Sequence, residues 1–141
     1  VNLHKIFREI IEQFKKSNYK IKLNISFKDK YYNLRPQSFK RAIMNILTNA
    51  KKYSKYTEIL IKQKEDTLLI FIDDDGPGIK IEDREDALKP FHRLESSRNK
   101  NTGGTGLGLS IANNITLSHG GSLELLESPL GGLRVKVSLP I

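Results

Sequence analysis

Ser38-Phe39-Lys40-Arg41-Ala42-Ile43-Met44-Asn45-Ile46-Leu47-Thr48-Asn49-Ala50-Lys51-Lys52-Tyr53 carries two stripes on one helix. At about 100° per residue, Phe39, Ile43, Ile46, Leu47 and Ala50 line up as an apolar face. Asn45, Asn49 and Lys52 fall on another face, with Tyr53 at the border between them. Pro36 marks the start, because a proline's missing N–H costs nothing in the first turn. Asparagine is a mediocre helix former found mostly at caps and turns, so an i, i+4 pair of them asks for a reason. Two readings stay open on these residues alone. One is a plain solvated face. The other is a pair of amide oxygens offered to a hard cation such as Mg²⁺ where phosphates supply most of the charge, with Lys52 within reach of a terminal phosphate.

Outward from this helix, the chain mixes helices with strands. Leu3, Ile6, Phe7, Ile10, Ile11 and Phe14 recur at spacings of three and four, which predicts an amphipathic helix to about Lys16. Ile21 to Phe27 alternates strictly and reads as a strand; Asp29-Lys30 would turn it back into a shorter strand over Tyr31 to Leu34. Thr57–Gln63 and Thr67–Asp73 read as two strands joined by a tight turn. The charged stretch from about Lys80 to Thr102 predicts a long loop holding one helical turn. A helix from Gly106 or Leu107 to Ser118 stops at His119-Gly120-Gly121. Ser122–Glu127 and Leu133–Leu139 are the last strands, around Ser128-Pro129-Leu130-Gly131-Gly132. Helices interleave with hairpins, so the expected class is α+β. The expected architecture is a two-layer sandwich with a mixed sheet of about five strands on about three helices, all in one domain over residues 1–141.

Asp73-Asp74-Asp75-Gly76-Pro77-Gly78-Ile79 is dense turn chemistry at the end of a buried strand. It is no EF-hand, since Pro77 stands where a ligand is needed. The remaining readings are a simple turn, or a carboxylate beside glycines that admit close backbone approach. A carboxylate accepts from an exocyclic amine and repels a carbonyl, so Asp74 would choose adenine over guanine. Gly103-Gly104-Thr105-Gly106-Leu107-Gly108-Leu109-Ser110 opens a helix, and glycines there expose N–H groups to an anion. It is neither a P-loop, lacking Lys-Ser or Lys-Thr, nor a Rossmann turn, since Leu109 replaces the third glycine. Pro90-Phe91-His92-Arg93 places an aromatic and a guanidinium inside the charged loop.

Composition limits the partners. A net charge of +8 favours an anionic one, although the lysines are scattered and no recognition-helix or aromatic β-surface pattern points to nucleic acid. With no cysteine, disulfides and thiolate metal sites are excluded. No apolar run is long enough to span a bilayer, and no secretory leader is visible. Val1 at the start of an amphipathic helix reads as a fragment of a longer protein.

In order, Asn45-x-x-x-Asn49-Ala50-x-Lys52-Tyr53, Asp74-x-Gly76-x-Gly78, Phe91-x-Arg93 and Gly104-x-Gly106-x-Gly108 resemble the N, G1, F and G2 boxes of sensor histidine kinases. The resemblance runs from about Arg35 to Ile141 and implies a Bergerat-type ATP-binding fold. It implies that Asn45 and Asn49 hold Mg²⁺, that Lys52 contacts phosphate and that Tyr53 packs on the adenine. Asp74 would accept from the adenine amine, with Gly76, Gly78 and Ile79 lining the base. Phe91 would anchor a lid, Arg93 would contact phosphate or the partner helix, and Gly104, Gly106 and Gly108, with Thr105 and Leu107, would close over the triphosphate. Arg98, in the same loop, is a candidate second phosphate contact.

The family's substrate histidine is followed by an acidic residue and later Thr-Pro. His4, His92 and His119 lack that pattern, so the phosphoacceptor and dimerisation helices are expected elsewhere. His4 is expected on the surface of the first helix and His119 in a helix stop. The resemblance further implies a response regulator as partner and a cytoplasmic domain of a bacterial protein anchored in the inner membrane. The fragment is expected to be monomeric, to bind ATP and not to phosphorylate itself. Alternatives are a nucleotide-binding regulatory module, or an ATPase or anti-sigma-type protein kinase of the same superfamily.

Overall fold

A computed structural model describes residues 1–27, 31–90 and 108–141. Helix α1 (Leu3–Lys15) begins where Asn2 accepts a hydrogen bond from Lys5 N–H, which satisfies one of the orphan donors of a helix start. Strand β1 (Lys20–Ile25) follows, then α2 (Pro36–Tyr53), β2 (Tyr56–Lys64) and β3 (Thr67–Asp74). A 3₁₀ turn (Ile81–Asp83) and a one-turn helix α3 (Arg84–Ala87) come next. Helix α4 (Gly108–Ser118), β4 (Ser122–Glu127) and β5 (Leu133–Pro140) complete the described elements.

The five strands form one mixed sheet in the order β1-β2-β3-β5-β4, with β1 parallel to β2 and the other neighbours antiparallel. Burial alternates along β3 and β5, as it must when one face meets the core and the other meets water. Ile59, Ile61, Leu68, Ile70, Ile72, Val135, Val137 and Leu139 share a core with Phe7 and Ile10 of α1, Ile43 and Leu47 of α2, and Leu109 and Ala112 of α4. The apolar stripe of α2 is thus the face that meets the sheet, leaving its asparagine face turned elsewhere. Gly120, in the left-handed region at φ 80°, ends α4 as the sequence indicates.

Two expectations are corrected. Tyr31–Leu34 is not a strand turned back on β1. Tyr31 makes only an isolated bridge to Asn2, and β1 lies beside β2. Tyr32 is the physical reason: its ring is buried and its hydroxyl donates to Gln63 Oε1 at 2.9 Å, while its N–H donates to the Val1 carbonyl at 2.8 Å. Those bonds hold the segment across the start of α1. His4 is not a surface residue either. It is half-buried and stands edge-on to Phe27, with ring centroids 6.0 Å apart.

Ile70, fully buried in the central strand, is the plainest test of this core. Ile70→Ala should cost about 2–5 kcal/mol by urea denaturation; a loss under about 1 kcal/mol would contradict the packing described.

Candidate nucleotide site

Asp74 closes β3 and its side chain is almost wholly buried. Gly76 N–H donates to its Oδ1 at 2.9 Å and Leu133 N–H donates to the same oxygen at 3.0 Å. Among the described residues no hydrogen bond reaches Oδ2. Burial raises the Asp74 carboxyl above its ordinary range; the two backbone donors pull it down, and Asp75 and Asp73 push it up. The group is thus a carboxylate fixed by backbone rather than by a basic side chain, the environment expected of a directional acceptor.

Glycine makes that environment possible. A Cβ on Gly132 would stand 2.2 Å from Asp74 Oδ1 and 2.6 Å from Gly76 N. One on Gly76 would meet the Tyr53 carbonyl at 2.5 Å. Gly78 sits at φ 73°, a left-handed conformation that favours glycine. The loop after β3 therefore lies directly on the last turn of α2. Asp75 ties it down from the outside, its Oδ1 accepting from Lys55 N–H at 2.9 Å and Tyr56 N–H at 3.1 Å. Ile79 packs against the core, and its carbonyl accepts from Arg84 Nε at 3.0 Å.

On α2, Asn45 and Asn49 are half-buried and Lys52 is exposed. Asn45 Nδ2 is buried with no hydrogen-bond partner among the described residues. An orphan amide inside a fold is costly, so this side chain awaits a polar partner, and turning the amide presents its oxygen in the same place. A Cβ on Gly108 would lie 3.7 Å from the main-chain carbonyl of Asn45, so the start of α4 lies against α2 at this residue. The fit to a cation and phosphates therefore rests on an orphaned amide, a second amide one turn on and an adjacent helix N-terminus.

Asn45, Asn49, Lys52, Tyr53, Asp74, Gly76, Gly78, Ile79 and Gly108 thus come from α2, the β3 loop and the start of α4, which adjoin one another. Phe91, Arg93, Arg98, Gly104, Thr105, Gly106 and Leu107 lie outside the described residues. Sequence reasoning missed Gly132 and the Leu133 N–H. Gly131-Gly132 reads as a turn, and nothing local says that Gly132 faces the carboxylate of Asp74 or that the next N–H, of Leu133, donates to it across 59 residues of sequence.

A family profile described as histidine kinase-, DNA gyrase B-, and HSP90-like ATPase matches residues 35–141. The chain belongs to this ATPase family. Within it, the chain is 41% identical over 107 residues to the sensor histidine kinase CpxA of Escherichia coli K12, covering 75% of this chain and 23% of that protein. It is 40% identical over 114 residues to the sensor protein RstB of the same organism, covering 79% and 26%. The chain spans about a quarter of the length of these curated relatives. Among solved structures, the mycobacterial sensor histidine kinase MprB superposes with a TM-score of 0.86 at 25% identity, covering 99% of this chain and 96% of that one. The histidine kinase domain of the E. coli osmosensor EnvZ superposes with a TM-score of 0.75 at 32% identity, covering 100% and 87%. ATP binding goes with membership of this family.

The raised carboxyl of Asp74 makes a pH prediction. The folded state takes up this proton more readily than the unfolded chain, whose carboxyl titrates near 3.8. Its contribution to stability is therefore complete below that pH and is lost as pH rises through the folded value. Asp74→Asn keeps an acceptor for both N–H groups without the buried charge. Without nucleotide, the variant should melt no lower than wild type at pH 7 and lack this part of the pH dependence. Melting several degrees below wild type at neutral pH would show that the carboxylate is a net stabiliser.

Proposed function

We propose that this chain is the ATP-binding catalytic domain of a sensor histidine kinase and that it directs the γ-phosphoryl of ATP to a histidine on a separate dimerisation helix. The observation that carries the reading is the backbone-held Asp74 carboxylate beside the asparagine face of α2, in a chain of this ATPase family. Asp74 accepts from the adenine amine, Gly76, Gly78 and Ile79 line the base, and Tyr53 packs on it. Asn45 and Asn49 hold Mg²⁺ by amide oxygens and Lys52 contacts phosphate. Arg93 contacts phosphate or the partner helix, Arg98 gives a second phosphate contact, and Phe91, Gly104, Thr105, Gly106, Leu107 and Gly108 belong to the segment assigned to the triphosphate. Bound Mg²⁺ supplies neutralisation of phosphate charge, which leaves the protein mainly the task of positioning.

The histidines of the chain support an acceptor elsewhere. His119 Nδ1 engages the Ile115 carbonyl at 2.9 Å and its Nε2 accepts from Arg35 N–H at 3.2 Å, so neither nitrogen is available as a nucleophile. His4 packs against Phe27, and His92 lies outside the described residues. The phosphohistidine would pass its group to an aspartate of a response regulator. No helix among the described residues is long and apolar enough to cross a membrane. This is compatible with a cytoplasmic domain of a larger, membrane-anchored sensor.

The test is labelling of the full-length protein with γ-labelled Mg–ATP. An acid-labile, base-stable phosphoryl group should form, and Asn49→Ala should slow its formation by about 100-fold or more, as loss of a metal-positioning group does. A base-labile or acid-stable product, or an Asn49→Ala rate equal to wild type, would contradict the assignment.

A further inference from the structure

Three hydroxyl groups meet beneath the candidate site, outside every box read from the sequence. Tyr19 Oη lies 2.6 Å from Ser54 Oγ and 2.6 Å from Thr57 Oγ1. Ser54 Oγ lies 2.6 Å from the Ala50 carbonyl. Tyr19 is buried and Thr57 wholly so. A carbonyl can only accept, so Ser54 spends its one proton on Ala50. Tyr19 must then donate to Ser54, and Thr57 must donate to Tyr19, because any other arrangement leaves two oxygens in contact with no proton between them. The chain has a single direction: Thr57 to Tyr19 to Ser54 to Ala50.

Its ends are informative. Ala50 lies in the last turn of α2, between Asn49 and Lys52, and its carbonyl also accepts from Ser54 N–H at 2.9 Å, so both groups of the capping serine close the helix end on it. Thr57 is the register partner of Asp74 across β2 and β3, and both side chains are on the buried face. Burial raises the Tyr19 phenol above its ordinary range, opposed by the bonds with Ser54 and Thr57 and reinforced by Asp74 and Asp75. The hydroxyl therefore keeps its proton to donate. The tyrosine comes from the link between α1 and β1, its N–H donating to the Phe14 carbonyl at 3.3 Å, and it precedes the residues that the family profile matches.

We infer that Tyr19 is a positioning residue that fixes the offset between the phosphate-facing end of α2 and the adenine-reading Asp74, so that both ends of one nucleotide are held at once. The inference rests on the nucleotide site proposed above. A ligand that uses only the adenine end needs no such offset, whereas Mg–ATP needs it throughout its length. A role confined to stability would weaken both alike.

The experiment titrates wild type, Tyr19→Phe, Thr57→Val and Tyr32→Phe with Mg–ATP by calorimetry, and with adenosine by competition. Tyr32→Phe also removes a buried tyrosine hydroxyl, but its partner Gln63 pairs with Leu68, at the other end of the β2–β3 ladder from Thr57 and Asp74. For Tyr19→Phe the dissociation constant for Mg–ATP should rise about tenfold, the upper range for one lost hydrogen bond, and that for adenosine less than about threefold. Thr57→Val, which keeps the shape and removes the first donor, should repeat this pattern and decides the matter if Tyr19→Phe does not fold. Tyr32→Phe should lower the melting temperature and leave both ligands unchanged. Unchanged Mg–ATP affinity in Tyr19→Phe and Thr57→Val would overturn the inference, as would equal losses for the two ligands. Wild type binding neither ligand would instead remove the underlying site.

Discussion

The arrangement depends on a carboxylate held by main chain. Asp74 ends the central strand with one oxygen bound by the Gly76 and Leu133 amides, in a space that a side chain at position 132 would fill. Hydrogen bonds to an ionised group are stronger than neutral ones, about 1.5–3 kcal/mol each, which is how such a group persists with little exposure and, among the described residues, no cation on it. The neighbouring carboxylate shows the contrast. Asp73 points to the other face of the sheet and is gripped bidentately by Arg134 at 2.7 and 3.0 Å, with that guanidinium 4.6 Å from the Phe71 ring centroid. Asp73 is satisfied by the fold, whereas among the described residues Asp74 has one oxygen that no hydrogen bond reaches.

From that point the site extends in two directions. Toward β5, the Gly131-Gly132 turn brings backbone against the carboxylate. Toward α2, the loop after β3 lies on the Tyr53 carbonyl, and the hydroxyl chain through Tyr19 joins the helix end to β2. The helix that supplies apolar bulk to the core also carries the amides and lysine proposed to meet phosphate. Core packing and the proposed ligand contacts therefore share one rigid element.

Much of this was legible in the residues. The periods of α1 and α2 and the alternation of β2, β3 and β5 follow from burying one face of each element. Asp74 stands out as a carboxylate at the end of a buried strand, followed by glycines that admit close backbone approach. What was not legible depends on distant partners. Alternation in Ile21–Ile25 says that β1 is half-buried but not which neighbour it takes. It pairs with β2 because Tyr32, which would have continued a hairpin, is anchored by Val1 and Gln63. Tyr19 reads as an ordinary residue before a strand, and its partners lie 35 and 38 residues on. His4 sits at a helix position that looks exposed until Phe27 folds over it.

The central claim is that a backbone-held carboxylate makes this chain read adenine. Calorimetric titration of the domain with Mg–ATP and with Mg–GTP tests it most directly, because the two nucleotides differ at the base while sharing the triphosphate. The account predicts saturable binding of Mg–ATP and at least about 100-fold weaker binding of Mg–GTP, whose carbonyl oxygen would face the Asp74 carboxylate. Equal affinity for the two, or no binding of Mg–ATP up to millimolar concentration, would contradict it.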